Sequence, residues 1–271
     1  MMQRMSSGAR PMREEHTVYP TPVWQLAPTR LTLGPEDVHV WRVALDLGES
    51  VVQRLWQLLA PDERARAERY VFRKDRTHFL VARGLLRVLL GRYLRCHPRH
   101  LHFRYGPHGK PELAPALGGD TLRFNVSHSH GLALYAITLA RDIGVDVEHV
   151  RPGVAEEGIA ERFFSPREVA VLRALPVALQ TMAFFACWTR KEAFIKARGD
   201  GLSLPLDQFD VAFAPGEIAA LLSTAWDPHE AVRWTLCDLA PGPDYMGAVA
   251  VAGQAWQLAC WHGPETYIAT D

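Results

Sequence analysis

Four short stretches of this chain carry acids, lysines, hydroxyls and an imidazole at spacings that bear on chemistry. In Ile143-Gly144-Val145-Asp146-Val147-Glu148, apolar and acidic residues alternate. On a strand that period sends Ile143, Val145 and Val147 to one face. Asp146 and Glu148 go to the other, about 7 Å apart. Two like charges so placed repel unless they are solvated or share a cation. The segment therefore reads either as the outer face of an amphipathic strand or as part of a divalent metal site. In the run from Trp188 to Lys196, Trp188, Glu192 and Lys196 follow one another at i, i+4 steps and share a helix face. That face is either a surface Glu–Lys pair, worth about 0.3–0.5 kcal/mol, or a cleft wall that holds a metal and a phosphate. Phe124-Asn125-Val126-Ser127-His128-Ser129 runs to the end of a strand. It is either a turn where backbone N–H, hydroxyl and imidazole donors converge on an anion, or a plain polar hairpin. Gly109-Lys110-Pro111 by itself is only a turn.

Several familiar chemistries are missing. Adjacent Ser127 and His128 do not make a hydrolytic triad, and the chain has no G-x-S-x-G elbow. Gly109-Lys110 lacks the upstream glycine spacing of a P-loop, and no G-x-G-x-x-G links a strand to a helix. His97, His100 and His102 lie close together, but in an arginine- and proline-containing connection that suits the surface.

The elements that must position these residues follow from periodicity and punctuation. Residues 38–45 form a first strand, with helices over 49–60 and 61–95. The second of these helices opens with Pro61-Asp62-Glu63, a proline and acids in the first turn. Arg83 and Arg87 share one face of it. Three strand-like runs, 121–126, 132–139 and 143–149, suggest an antiparallel meander. Helices follow over 159–175 and 178–198. Ser165-Pro166-Arg167-Glu168 opens a helix with an N-cap serine, a proline at N1 and a glutamate at N3, and Gly199 and Gly201 stop the second one. Short strands separated by Pro/Gly turns fill 209–268. Helix-then-strands occurs twice, so the fold is predicted to be α+β with two comparable halves: an N-terminal half over 38–140 and a C-terminal half over 141–271. Residues 1–37 begin with a Ser/Gly/Pro- and charge-rich stretch and are predicted to be a flexible leader.

With 271 residues the chain can bury a substantial core. Thirty basic and thirty acidic residues cancel, so the global charge favours neither nucleic acid nor an acidic membrane as partner. An anionic ligand needs a local cluster of cations. Cys96, Cys187, Cys237 and Cys260 have no C-x-x-C spacing and read as free thiols of a cytoplasmic protein. No apolar run reaches the roughly 20 residues that span a bilayer.

Taken in order, G-K-P at 109–111, F-N-V-S-H-S at 124–129, G-V-D-V-E at 144–148, F-F-S-x-x-E at 163–168 and W-x-x-K-E-A-F-I-K-A-x-G-x-G-L at 188–202 resemble the surfactin-type class of 4′-phosphopantetheinyl transferases. The resemblance covers about residues 60 to 211. It implies a monomer with two pseudo-twofold-related halves, each a small antiparallel sheet packed with helices, which hold coenzyme A and a metal between them. The metal ligands map onto Asp146, Glu148 and Glu192. The metal is expected to be Mg²⁺, with Mn²⁺ as the alternative. Asp146, Glu192 and Lys196 are the implied catalytic residues, with Lys196 at the pyrophosphate. Ser127 and His128 match positions that hold the 3′-phosphate. Gly109, Lys110 and Pro111 match the loop beside the adenine, and Arg83, Arg87 and Arg66 are further phosphate partners. The family often places a basic residue where this chain has Glu63.

The implied reaction moves the phosphopantetheine arm of coenzyme A onto a serine of an apo acyl or peptidyl carrier protein and releases adenosine 3′,5′-bisphosphate. Glu192, directly or through water, is the expected base. The carrier is expected to dock on 159–182, where Phe163, Phe164, Val171, Leu172 and Leu175 meet a helix and Arg162, Arg167 and Arg173 its acidic face; alternatively the aromatics belong to the core. The competing function is a non-catalytic module that binds coenzyme A or a carrier protein.

Overall fold

The computed structural model describes residues 22–115, 121–153 and 158–263. The chain is α+β. Its strands are β1 (Trp24–Gln25), β2 (Asp37–Ala44), β3 (Phe103–Tyr105), β4 (Pro111–Leu113), β5 (Leu122–Ser129), β6 (Leu132–Leu139), β7 (Ile143–His149), β8 (Phe209–Val211), β9 (Leu221–Thr224), β10 (Trp234–Gly242), β11 (Tyr245–Ala252) and β12 (Gln257–His262). Its helices are α1 (Glu49–Leu58), α2 (Pro61–Glu68), α3 (Arg73–Leu94), α4 (Ile159–Phe163), α5 (Pro166–Ala174) and α6 (Val177–Arg198).

Alternation of side chains along the strands sorts the core into layers. A five-stranded sheet has the order β1-β12-β2-β6-β5, and a three-stranded sheet the order β10-β11-β7. Trp41, Val43, Tyr135, Ile137 and Phe124 point from the larger sheet onto α1 and α3. Val38, Val40, Leu134 and Ala136 point the other way and meet Ile143, Val145, Val147, Val249 and Val251 of the smaller sheet. The far face of the smaller sheet, with Ala248 and Ala250, packs on Phe194 and its neighbours of α6. The order is therefore helices, sheet, sheet, helix. The predicted split of β7 holds, because its three branched residues enter the core between the sheets.

Several expectations are corrected. The helix predicted over 61–95 is two helices, broken at Tyr70-Val71-Phe72, a run of aromatic and β-branched residues with modest helix propensity. The helix predicted over 159–175 is also two, because proline disfavours helical backbone at the residue before it and Ser165 caps a new start. The meander ends after β6. Both edges of β6 are taken, by β2 and β5, so β7 leaves for the other sheet and pairs with β11. The larger sheet is mixed, since β12 runs parallel to both β1 and β2. Of the stretch predicted to be a leader, residues 1–21 lie outside the described residues, while Trp24–Gln25 pair with β12. Strand β12 comes from the C-terminal half yet completes the sheet of the N-terminal half.

The cap signals are borne out. Glu63 accepts from Ala60 N–H at 2.8 Å. Ser165 Oγ accepts from Glu168 N–H at 3.2 Å, and Glu168 Oε2 accepts from Ser165 N–H at 2.9 Å. Gly199, at φ +82°, ends α6 in the left-handed conformation. Glu168 does more than cap. Lys191, wholly buried on α6, forms an ion pair with its Oε2 at 2.7 Å, and Val211 N–H donates to its Oε1 at 2.9 Å. The Lys191 ammonium also donates to the carbonyls of Leu206 and Phe209. The glutamate of F-F-S-x-x-E and the first lysine of K-E-A-F-I-K thus tie α5, α6 and β8 together.

At Gly144 the backbone of α6 lies directly against β7. A Cβ there would collide with Ala193 O and Ala197 N of α6 and lie 2.9 Å from Ala197 Cα, all backbone atoms that a rotamer change cannot move. Gly144→Ala is expected to cost about 3 kcal/mol or more, read as a lower urea midpoint; an unchanged midpoint would show that α6 is free to shift. Lys191→Ala leaves Glu168 buried with its charge unpaired. It is expected to cost about 3–5 kcal/mol, measured by guanidinium denaturation, and a loss under 1 kcal/mol would contradict the pairing.

Candidate active site

Strands β5 and β7 lie at the edges of different sheets, and they are joined by side chains. Asn125, Ser127 and Ser129 share one face of β5. Asn125 Oδ1 accepts from Val145 N–H at 2.9 Å. Ser127 Oγ donates to Asp146 Oδ1 at 2.8 Å. Ser129 Oγ donates to Glu148 Oε2 at 2.9 Å and accepts from His149 N–H at 3.2 Å. These bonds fix both carboxylates of β7. Sequence reasoning missed Asn125 and Ser129. Their signal was the strict alternation of polar residues at 125, 127 and 129.

Asp146 is only 2% exposed, so it is not on a solvated outer face. It faces α6, where Lys196 Nζ donates to Asp146 Oδ1 at 2.5 Å and to Ser127 Oγ at 3.0 Å. The close approach at Gly144 brings α6 this near. The other oxygen, Asp146 Oδ2, is buried with no hydrogen-bond partner among the described residues.

Glu192 lies one helical turn before Lys196. Burial pushes its carboxyl up to about 7; Lys196 opposes the shift, and the charges of Asp146 and Glu148 add to it. Glu148 is also raised, first by burial and then by Asp146. Burial works against the charge of Lys196, but Asp146, Glu192 and Glu148 outweigh it and raise its pKa. The predicted constellation of Asp146, Glu148, Glu192 and Lys196 therefore comes together as one interacting set. Among the described residues no three carboxylate, imidazole or thiol groups stand close enough to form a ready-made metal cage. The donor set is nonetheless all carboxylate oxygen, one of them buried and unsatisfied, which suits a hard divalent cation.

A cleft of about 180 Å³ opens on the opposite face of β5. Arg66, Tyr70, Arg83, Tyr105, Gly109, Pro111 and His128 line it. Arg66 lies over the Phe79 ring. His128 is next to Ser127 in sequence but faces the other way, as strand alternation demands. Burial lowers its pKa, helped by Lys196 and His78.

Other predicted residues are engaged elsewhere. Arg83 and Arg87 both donate to Glu63, at 2.5 and 2.6 Å. Arg83 also donates to Tyr105 Oη at 2.6 Å and so reaches the cleft, whereas Arg87 donates inward to Pro98 O and Leu101 O. The glutamate standing at a position the family often makes basic is thus the carboxylate that two buried arginines share, one on each oxygen. The Lys110 ammonium turns away from the cleft onto backbone carbonyls. Trp188 is not a cleft wall: it packs on Phe163, Phe164 and Phe184. Phe164 and Leu172 are buried core residues, so the apolar surface near 159–182 is instead Val177, Leu179 and Met182 at the start of α6. The histidines at 97, 100 and 102 lie at or near the surface, as predicted. The four cysteines are free, and no described helix is long and apolar enough to cross a membrane.

Comparison with known proteins gives this arrangement its family. The model of the 4′-phosphopantetheinyl transferase superfamily matches residues 142–250, and that of the 4′-phosphopantetheinyl transferase N-terminal region matches residues 48–139. The chain is 43% identical over 239 residues to the 4′-phosphopantetheinyl transferase HetI of Nostoc sp., covering 88% of this chain and 98% of that protein. It is 43% identical over 179 residues to the putative 4′-phosphopantetheinyl transferase slr0495 of Synechocystis sp., covering 66% and 71%. It is 32% identical over 183 residues to the 4′-phosphopantetheinyl transferase Sfp of Bacillus subtilis, covering 67% and 79%. The chain belongs to the 4′-phosphopantetheinyl transferase superfamily.

Proposed function

We infer that this chain is an enzyme that transfers the 4′-phosphopantetheine group of coenzyme A to a serine hydroxyl of an apo carrier protein and releases adenosine 3′,5′-bisphosphate. The observation that carries the reading, within this family, is that β5 serines and Lys196 hold Asp146 and Glu148 at the junction of β5, β7 and α6, with Glu192 electrostatically coupled to all three charges from the turn before Lys196. The non-catalytic alternative finds no support, since these relatives are named transferases and none of the four groups is missing.

Asp146, Glu148 and Glu192 would hold the divalent cation, Mg²⁺ in this reading with Mn²⁺ as the alternative. When bound, the cation withdraws charge from the pyrophosphate oxygens. Lys196 leaves Asp146 for those oxygens and stabilises the charge that develops as the phosphoanhydride bond breaks. Glu192 accepts the proton of the serine hydroxyl as its oxygen attacks the β-phosphorus. Arg66, His128, Gly109 and Pro111 take the adenosine 3′-phosphate end in the cleft, with Arg83 reaching it through Tyr105. The carrier docks on the exposed Val177, Leu179 and Met182, and the exposed Arg162 and Arg167 meet its acidic face. One chain supplies every group named, so the protein is proposed to act as a monomer with its halves at 38–140 and 141–271.

Intact-mass spectrometry of an apo acyl carrier protein incubated with this enzyme, coenzyme A and Mg²⁺ tests the reaction. The expected product is heavier by one phosphopantetheine group, and EDTA abolishes the gain. An unchanged mass with acyl and peptidyl carriers alike would overturn the activity. Glu192→Gln keeps the size of the side chain and removes the base. Its rate is expected to fall at least about 100-fold, and a wild-type rate would remove Glu192 from the mechanism.

A further inference from the structure

The last turn of a helix leaves its carbonyls without intrahelical donors. In α6 these include the carbonyls of Ile195, Lys196 and Ala197, followed by Gly199 in the left-handed conformation. Gly199 N–H takes the carbonyl of Ile195. The carbonyls of Lys196 and Ala197 are taken by a side chain 86 residues earlier in sequence: Lys110 Nζ donates to Lys196 O at 2.6 Å and to Ala197 O at 3.3 Å. Its third contact is Ile143 O, at 3.2 Å.

A lysine ammonium has three N–H donors and no more. Three backbone carbonyls lie within hydrogen-bond distance of the Lys110 ammonium, enough acceptors to take all three donors. The charge sits at the negative end of the α6 dipole, where a cation is favoured. Burial pushes its pKa down, with Asp142 and Glu112 opposing.

The three carbonyls belong to the two elements that carry the chemistry. Ile143 begins β7, three residues before Asp146, and Lys196 O belongs to the residue whose ammonium meets Asp146. The loop that carries Lys110 is also pressed against the end of α6. A Cβ on Gly201, at φ +58°, would lie 2.9 Å from His108 Cβ.

We propose that Lys110 is a positioning residue rather than a phosphate ligand: it clamps the C-terminal turn of α6 to the first residue of β7 and so sets where Lys196 stands relative to Asp146 and the pyrophosphate. The proposal rests on the transferase reading above. Wild-type transfer in the mass assay establishes that reading separately, so inactivity of the wild type sinks the reading and the variants below test only the clamp.

Lys110→Met keeps the length of the side chain and removes the donors. Steady-state kinetics are expected to show kcat lower by about tenfold to a hundredfold, with KM for coenzyme A changed by less than about threefold. In the Lys196→Met background the same substitution is expected to add less than about a twofold loss, because its effect passes through Lys196. A merely structural role would multiply the two losses instead of merging them. A direct phosphate contact would raise KM and leave kcat. Either pattern overturns the proposal.

If Lys110→Met does not fold, Lys110→Arg decides. A planar guanidinium serves a phosphate at least as well as an ammonium but cannot place three protons on these three carbonyls. The clamp predicts a loss in kcat for Lys110→Arg, and wild-type kcat and KM in that variant would overturn it.

Discussion

Strands β5 and β7 sit at the edges of two different sheets, and the hydrogen bonds that join them run from the side chains of one to the backbone and carboxylates of the other. Backbone pairing could have extended either sheet, but it would have used the N–H and C=O groups and left the acids of β7 unrestrained. Instead Asn125 holds the backbone at Val145, Ser127 holds Asp146 and Ser129 holds Glu148. This arrangement requires β5 to present a polar residue at every second position on one face. The opposite face, Phe124, Val126 and His128, remains free to pack on the helices and line the cleft. One strand therefore serves the two sides of the site through nothing more than its pleat.

Burying Asp146 close to two further, half-buried carboxylates is costly. At Asp146 the cost is partly met by Ser127 and Lys196 on one oxygen, while the other oxygen has no hydrogen-bond partner among the described residues. Burial and the neighbouring acids hold Glu192 near neutrality instead of in the usual carboxylate range. Such a site has excess negative potential that a cation relieves.

Buried charge elsewhere in the chain serves a different end. Lys191–Glu168 and the pairing of Glu63 with Arg83 and Arg87 are buried, and both oxygens of each carboxylate accept hydrogen bonds. Breaking one partner of such a pair is costly even though the intact pair adds little net stability. What distinguishes these pairs from the site is completeness. Their oxygens have donors, whereas Asp146 Oδ2 has none among the described residues. Lysines 191 and 196 lie five residues apart on one helix, about 500° around its axis, so they point to different sides. One faces the core and the other the seam.

The split of β7 into a branched core face and an acidic face, the helix starts at Pro61 and Ser165, the stop at Gly199 and the i, i+4 row of Trp188, Glu192 and Lys196 were all legible in the sequence. Each depends on neighbours within a few residues, where strand or helix period and capping chemistry decide the outcome. The ordered motifs also carried the family. The rest was set by contacts between residues far apart in the chain. That β7 pairs with β11 follows from β6 having no free edge. That β12 returns to the first sheet and that Trp188 joins an aromatic cluster follow from what other segments leave uncovered. Whether Lys110 meets a phosphate or a helix end, and whether Glu63 faces solvent or is shared by two arginines, turns on directions of side chains. Sequence spacing does not encode those directions; only the packing of α6 on β7 and of α2 on α3 decides them.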